Sequence, residues 1–154
     1  GKSGIMVMAR TLPDMSEDCI FCSIVDGEIP SRTVYEDDAV LAFLDANPLA
    51  PGHTLVIPKT HYERLNDVPA ATASKLYTRL HELVPAVEDA ADAPASTVAF
   101  NNGEAAGQEV PHVHAHVVPR TADDGGGPIH GVFGSRPDLS DDELDALADA
   151  IREH

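Results

Sequence analysis

His112-Val113-His114-Ala115-His116-Val117-Val118 places three imidazoles at alternate positions, followed by two β-branched residues and then Pro119. Successive side chains of an extended chain point to opposite faces. Strand geometry would therefore set the three histidines on one face and Val113, Ala115 and Val117 on the other. Val117 and Val118 favour a strand, and Pro119 is read as its end. An imidazole near neutral pH serves as nucleophile, acid, base, cation or metal ligand. Spacing alone leaves three uses of the array open. It can chelate a catalytic metal, attack and stabilise a phosphate, or form a polar sheet face with no chemistry.

The residues before the array narrow those uses. Asn101 to Gln108 reads Asn-Asn-Gly-Glu-Ala-Ala-Gly-Gln, with small residues that let backbone approach a ligand and amides that donate to phosphate oxygens. Glu109 is the nearest carboxylate, and no acid lies within the array to complete a metal site. A fourth histidine, His53, opens another apolar stretch directly after Pro51-Gly52.

Further out, residues 33–36 and 39–44 read as a strand pair turned by Asp37-Asp38, and residues 53–57 as a third strand stopped by Pro58. Leu76, Leu80, Leu83, Val84 and Val87 recur at three and four, predicting a helix over residues 69–90 that Pro85 should kink or end early. Residues 97–101 read as another strand. Ser140-Asp-Asp-Glu143 is a capping box opening a last helix with Leu144, Leu147 and Ile151. This order predicts an α+β domain: an antiparallel sheet of about five strands with a central and a C-terminal helix. Residues 1–15 lack periodicity and are read as an extension or cloning remnant, leaving residues 16–154 as a single domain with a tail and helix.

The chain of 154 residues carries 26 acidic against 10 basic residues, a formal net charge of −16. That field repels nucleic acid and anionic lipid, so neither is expected as a partner. The Asp-rich, Lys-poor balance, with only Lys2, Lys59 and Lys75, resembles that of proteins from high-salt cytoplasms. No apolar run is long enough for a membrane span and no signal-peptide pattern is present, so the cytoplasm is the expected compartment. Cys19 and Cys22 form a C-x2-C pair, spacing that suits a metal knuckle or a redox dithiol better than a secreted disulfide.

Taken together these residues resemble the histidine triad (HIT) family, whose signature alternates three histidines with apolar residues. The resemblance runs from Cys19 to Arg120 and includes Cys19-Ile-Phe-Cys22, Ala42-Phe-Leu-Asp45, Pro51-Gly-His53 through Lys59, and Gly107-Gln108. It implies nucleotide chemistry at an α-phosphorus: hydrolysis of an AMP phosphoramidate or a dinucleoside polyphosphate through a nucleotidyl-histidine. On that reading His114 is the nucleophile, His116 donates to the phosphate or the departing group, and His53 helps fix the array. Asn101 and Gln108 match phosphate-side positions. Asp45 matches the ribose-binding carboxylate, and Ile20, Phe21, Ile24 and Phe43 match the apolar slot for a purine base.

Zinc-bearing members of the family, and the related galactose-1-phosphate uridylyltransferases, close a structural zinc site with two further histidines. The matching set here is Cys19, Cys22, His61 and His112. A homodimer is also implied. Glu109 and Pro111 depart from the residues of some branches, which concerns the leaving group rather than the reaction type. The competing expectation is a zinc-stabilised nucleotide-binding or regulatory module with vestigial hydrolysis.

Overall fold

A computed structural model describes residues 18–154, so the extension read over residues 1–15 lies outside the described chain. Two apolar runs organise it. Val40–Leu44 (β2) and Thr54–Pro58 (β3) are buried along nearly their whole length, as strands covered on both faces must be. They pair antiparallel, with Val40 opposite Pro58 and Leu44 opposite Thr54. Thr33–Glu36 (β1) flanks β2, Ala115–Arg120 (β5) flanks β3, and Ala95–Phe100 (β4) lies beyond β5. The sheet order is β1-β2-β3-β5-β4 and every pairing is antiparallel, so the α+β class expected from the sequence is the one observed.

Period-two alternation divides the core into two layers. Val40, Ala42 and Val56 pack with Leu76, Leu80 and Val87 of a helix over Ala70–Ala90 (α2). Leu41, Phe43, Leu55 and Ile57 pack on the opposite face with Cys19 and Phe21, which belong to or cap a short helix over Ile20–Val25 (α1). Ala115 and Val117 of β5 join the α2 layer. His116 between them therefore faces the α1 side.

Three local expectations are corrected. The histidine array is not one strand: β5 begins at Ala115, so only His116 of the three lies in the sheet. The backbone before it is used elsewhere, since Val113 N–H donates to the Tyr62 carbonyl at 2.7 Å and the His112 carbonyl accepts from a side chain. Pro119 does not end β5, which continues to Arg120. The β3 register stops at Val117, leaving β5 an open side where a missing N–H costs nothing. Pro85 does not end α2 either. It and His81, whose carbonyl it leaves unbonded, both face solvent, while Leu80 and Val87 hold the helix to the sheet.

The Asp37 turn is tightly built. Its Oδ1 accepts from the amides of Ala39 and Val40, both at 2.8 Å, while Oδ2 accepts from the Tyr35 hydroxyl and from Arg79 Nε on α2. Two compact units are present, one ending at Asp124 and one spanning Gly125–His154. The second holds a helix over Asp141–Glu153 (α3), which opens with the expected reciprocal capping box of Ser140 and Glu143. Among the described residues no helix is long and apolar enough to cross a membrane.

Candidate active site and metal centre

His112 is wholly buried and hydrogen-bonded at both ring nitrogens. Its Nε2–H donates to the Pro58 carbonyl at 2.8 Å. A neutral imidazole has one proton, so the Nδ1 lone pair is left to face Cys19 Sγ at 3.4 Å and Cys22 Sγ at 3.5 Å. Burial holds the His112 pKa down at about 4, which keeps that lone pair available. His61 Nδ1 stands 3.3 Å from Cys22 Sγ. One donor atom from each of Cys19, Cys22, His61 and His112 lies within 4.8 Å of every other. Two sulfurs and two imidazole nitrogens are a tetrahedral donor set, and the Pro58 carbonyl supplies the outer hydrogen bond that orients a ligating histidine. The four residues matched to the metal set are thus brought together, and they fit a metal ion.

His114 is also buried, and its Nδ1–H donates to the His112 carbonyl at 2.7 Å. That bond places the proton on Nδ1 and leaves the Nε2 lone pair for attack on an electrophile. Burial lowers its pKa, which favours the neutral, nucleophilic form. Phe21 packs perpendicular to the ring, with centroids 5.0 Å apart, and also touches His112 and Phe43. Ring position is therefore held from α1 as well as from the backbone.

His53 and His116 form a directed pair. The Leu49 amide donates to His53 Nδ1 at 3.0 Å, so the proton of neutral His53 is on Nε2. That Nε2 lies 3.0 Å from His116 Nδ1 and donates to it. His116 must then carry its own proton on Nε2, and this buried atom has no hydrogen-bond partner among the described residues. A buried orphan donor in a native site needs an explanation, and a bound ligand is one. Burial lowers the pKa of both rings, that of His116 to about 4. Asp45, 3.7 Å from His53 Nε2, opposes the shift there.

Asp45, His53 and His116 also cluster closely enough to suggest a second metal set. The Leu49 amide argues against it. A metal on His53 Nε2 would need the His53 proton on Nδ1, where it would face another N–H. The triad therefore does not act as one chelate: His112 faces the cysteines, His114 the backbone and His116 the His53 ring.

Ile20, Phe21, Ile24, Phe43 and Asp45 all line one cavity of about 470 Å3. Its size and apolar lining suit a small organic ligand. Asp45 Oδ1 accepts from the Asn47 amide at 2.9 Å, so the carboxylate closes a turn at the cavity rim. Gly52 leads into His53 with φ of +91°, and a Cβ there would meet Ala91 and Pro119 at 3.1 and 3.3 Å. Only glycine serves at this turn. Asn101 and Gln108 do not line that cavity. Gln108 donates to the carbonyls of Glu63 and Val110 and accepts from the Gly103 amide, and so braces the loop before the array. Asn101 is exposed at the end of β4, beside Gly107.

Sequence reasoning missed the backbone participants, namely the Pro58 and His112 carbonyls and the Leu49 amide. Asn102, one of the loop amides suited to phosphate, instead accepts from the Leu65 amide and donates to Asn66. Backbone groups leave no residue signature.

A family model for the HIT domain matches residues 26–123. An uncharacterised HIT-like protein of Methanocaldococcus jannaschii is 47% identical over 107 residues, covering 70% of this chain and 82% of the relative. The adenylylsulfatase HINT3 of Arabidopsis thaliana is 40% identical over 106 residues, covering 69% of this chain and 54% of that protein. Among solved structures, a HIT family member from Bacillus subtilis superposes with a TM-score of 0.81 at 38% identity, covering 89% of this chain and 96% of its own. A zinc-bound histidine triad protein from Mycobacterium smegmatis superposes with a TM-score of 0.67 at 35% identity, covering 90% and 99%. The matched segment contains the entire sheet and the histidine array, and on that ground the chain belongs to the HIT domain family.

Proposed function

We propose that this protein is a nucleotide hydrolase that cleaves the bond between the α-phosphorus of a purine nucleotide and its leaving group, through a nucleotidyl intermediate on His114. The observation that carries this reading is the fixed pair of tautomers. His114 keeps a lone pair on Nε2, and His116 keeps an orphan N–H, with ring centroids 4.9 Å apart. Nucleophile and donor are thus set before substrate arrives, which is how a polar site contributes without reorganising.

Ile20, Phe21, Ile24 and Phe43 would hold the base, and Asp45 would accept from the ribose hydroxyls through the oxygen not committed to Asn47. His114 Nε2 would attack phosphorus as the bond to the leaving group breaks, and His116 Nε2–H would donate to that group. Water would then break the phosphorus–nitrogen bond, releasing the nucleotide and restoring His114. The water oxygen would stay on phosphorus, and the proton it gives up would replace the one that His116 Nε2 gave to the departed group. Asn101 and Gln108 are assigned to the phosphate side, Gln108 by holding the loop. Zinc in the Cys19, Cys22, His61 and His112 set would take no part in bond breaking; it would brace α1 against residues 112–114.

The sheet edge supports a homodimer. β4 is an edge strand without a charged residue, Val98 is 44% exposed on it, and the half-exposed Tyr77 of α2 packs against Phe100. Uncharged edges invite pairing with a second copy. The C-x2-C spacing, which suits a reduced metal knuckle, and the acidic surface support a cytoplasmic enzyme that does not bind nucleic acid, with a salt-adapted source.

Four outcomes test this reading. Purified protein should turn over at least one of an adenosine phosphoramidate, a dinucleoside polyphosphate and adenylyl sulfate. His114→Ala should lower that rate by at least about 1,000-fold, and His116→Gln by roughly 100-fold. Binding of AMP with no turnover of the panel would mark a binding module instead.

The neutral histidines also set a pH dependence. A histidine whose folded pKa lies below the unfolded value of about 6.5 takes up a proton on unfolding. Stability should hold above that value and fall as the pH drops toward about 4, the value for His116. A denaturant midpoint unchanged between about pH 7 and pH 5 would contradict the neutral cluster.

Protein purified without added metal should carry close to one zinc per chain and melt lower after chelation. A few tenths of an equivalent or less, with both thiols freely reactive, would remove the site. Light scattering should give a dimer mass, and Val98→Lys should shift it to monomer. A wild-type monomer would end that assignment.

A further inference from the structure

Ile20 and Phe21 are the two residues between Cys19 and Cys22, and both line the apolar cavity. The same short helix therefore carries two metal-facing sulfurs and part of the ligand wall. Phe21 packs against His114 and Phe43 from that position. Cys19 is 2% exposed and also caps the helix, its Sγ accepting from the Cys22 amide at 3.4 Å. Cys22 is only half-buried, so it is the sulfur that a small solute reaches first.

We propose that Cys19 and Cys22 form a peroxide-oxidisable pair whose conversion to a disulfide expels the metal and loosens the nucleotide cavity. This rests on the nucleotide reading given above and adds a means of turning the site off. Hydrogen peroxide is the oxidant. The Cys22 thiolate attacks one peroxide oxygen, the O–O bond breaks, and sulfenic acid and hydroxide form. The Cys19 thiolate then attacks the Cys22 sulfur and displaces a second hydroxide. Two thiolates lose two electrons, peroxide gains them, and buffer protonates both hydroxides.

The sulfurs lie within 4.8 Å of each other and must close to about 2.0 Å, which pulls both ends of the Ile20-Phe21 segment. The metal keeps only His61 and His112, half of a tetrahedral set, and is released. His112 loses the partner of its Nδ1. The change is then felt at His114 through the His112 carbonyl and through Phe21.

The test uses the reduced, zinc-loaded wild-type chain and a stepwise addition of hydrogen peroxide. Four quantities are followed: zinc released to a colorimetric chelator, the Cys19–Cys22 disulfide by peptide mass, the Kd for AMP, and the ring NMR signals of Phe21 and His114. Disulfide and free zinc should rise together, AMP affinity should fall by at least about tenfold, and both rings should shift. A dithiol reductant with zinc should restore all four. Peroxide consumed with zinc retained and no disulfide would overturn the proposal. So would a disulfide that left the two rings and the AMP affinity unchanged. Failure of the reduced, zinc-loaded chain to bind AMP would instead defeat the nucleotide reading, and the ring signals would then decide the coupling alone.

Discussion

The hydrogen bond from His114 Nδ1 to the His112 carbonyl joins the two centres of this protein. The imidazole at one end is the proposed nucleophile. The residue at the other end turns its own ring to the cysteines, because the Pro58 carbonyl has taken its single proton. The proposed metal ligand and the proposed nucleophile, two residues apart, are thus not independent. Each is committed to one tautomer by a backbone oxygen, and those oxygens belong to β3 and to the array itself. Fixing a tautomer in this way needs no charged partner, which suits a cluster whose burial favours neutral rings.

The same logic separates two clusters that look alike by distance. Cys19, Cys22, His61 and His112 converge, as do Asp45, His53 and His116. In the first, the outer nitrogen of His112 donates and the inner one is bare. In the second, the outer nitrogen of His53 accepts from Leu49, so the inner one carries hydrogen. One arrangement is built to accept a cation and the other passes a hydrogen bond forward to His116. Proximity alone would assign both to metal; proton bookkeeping assigns only one.

Much of this was legible in the sequence for physical reasons that can be named. The runs over β2 and β3 read as strands because both their faces are apolar, and α2 because its leucines and valines recur at helical spacing. The clustered Cys19, Cys22, His61 and His112 and the cavity-lining residues carry their chemistry in side chains, which is what a sequence displays. What could not be read depended on the backbone. The array was expected as a continuous strand because alternation of side chains is all that a sequence displays. The structure instead spends the backbone around His112 and Val113 on Tyr62 and on the His114 ring. Pro85 and Pro119 carry strong stop signals, and both were overridden where the missing N–H faces solvent or an unpaired side of a strand. Gln108 was assigned to phosphate by its amide, yet the loop claims that amide's donors and acceptor.

A formal charge of −16 is an awkward surface for a site proposed to bind a phosphate. Surface repulsion extends only about a Debye length, roughly 8 Å at physiological ionic strength and less in stronger salt. Inside that distance the local inventory decides. Asp45 and Glu109 are the carboxylates whose fields reach His114, and each favours its protonated form. Burial acts the other way and keeps the ring a nucleophile. Attraction for the anion must then come from N–H donors rather than net positive charge, and the orphan Nε2–H of His116 is such a donor. A neutral donor is little affected by salt that screens the surrounding acids. The acidic shell and the neutral site are therefore compatible, because they act over different distances.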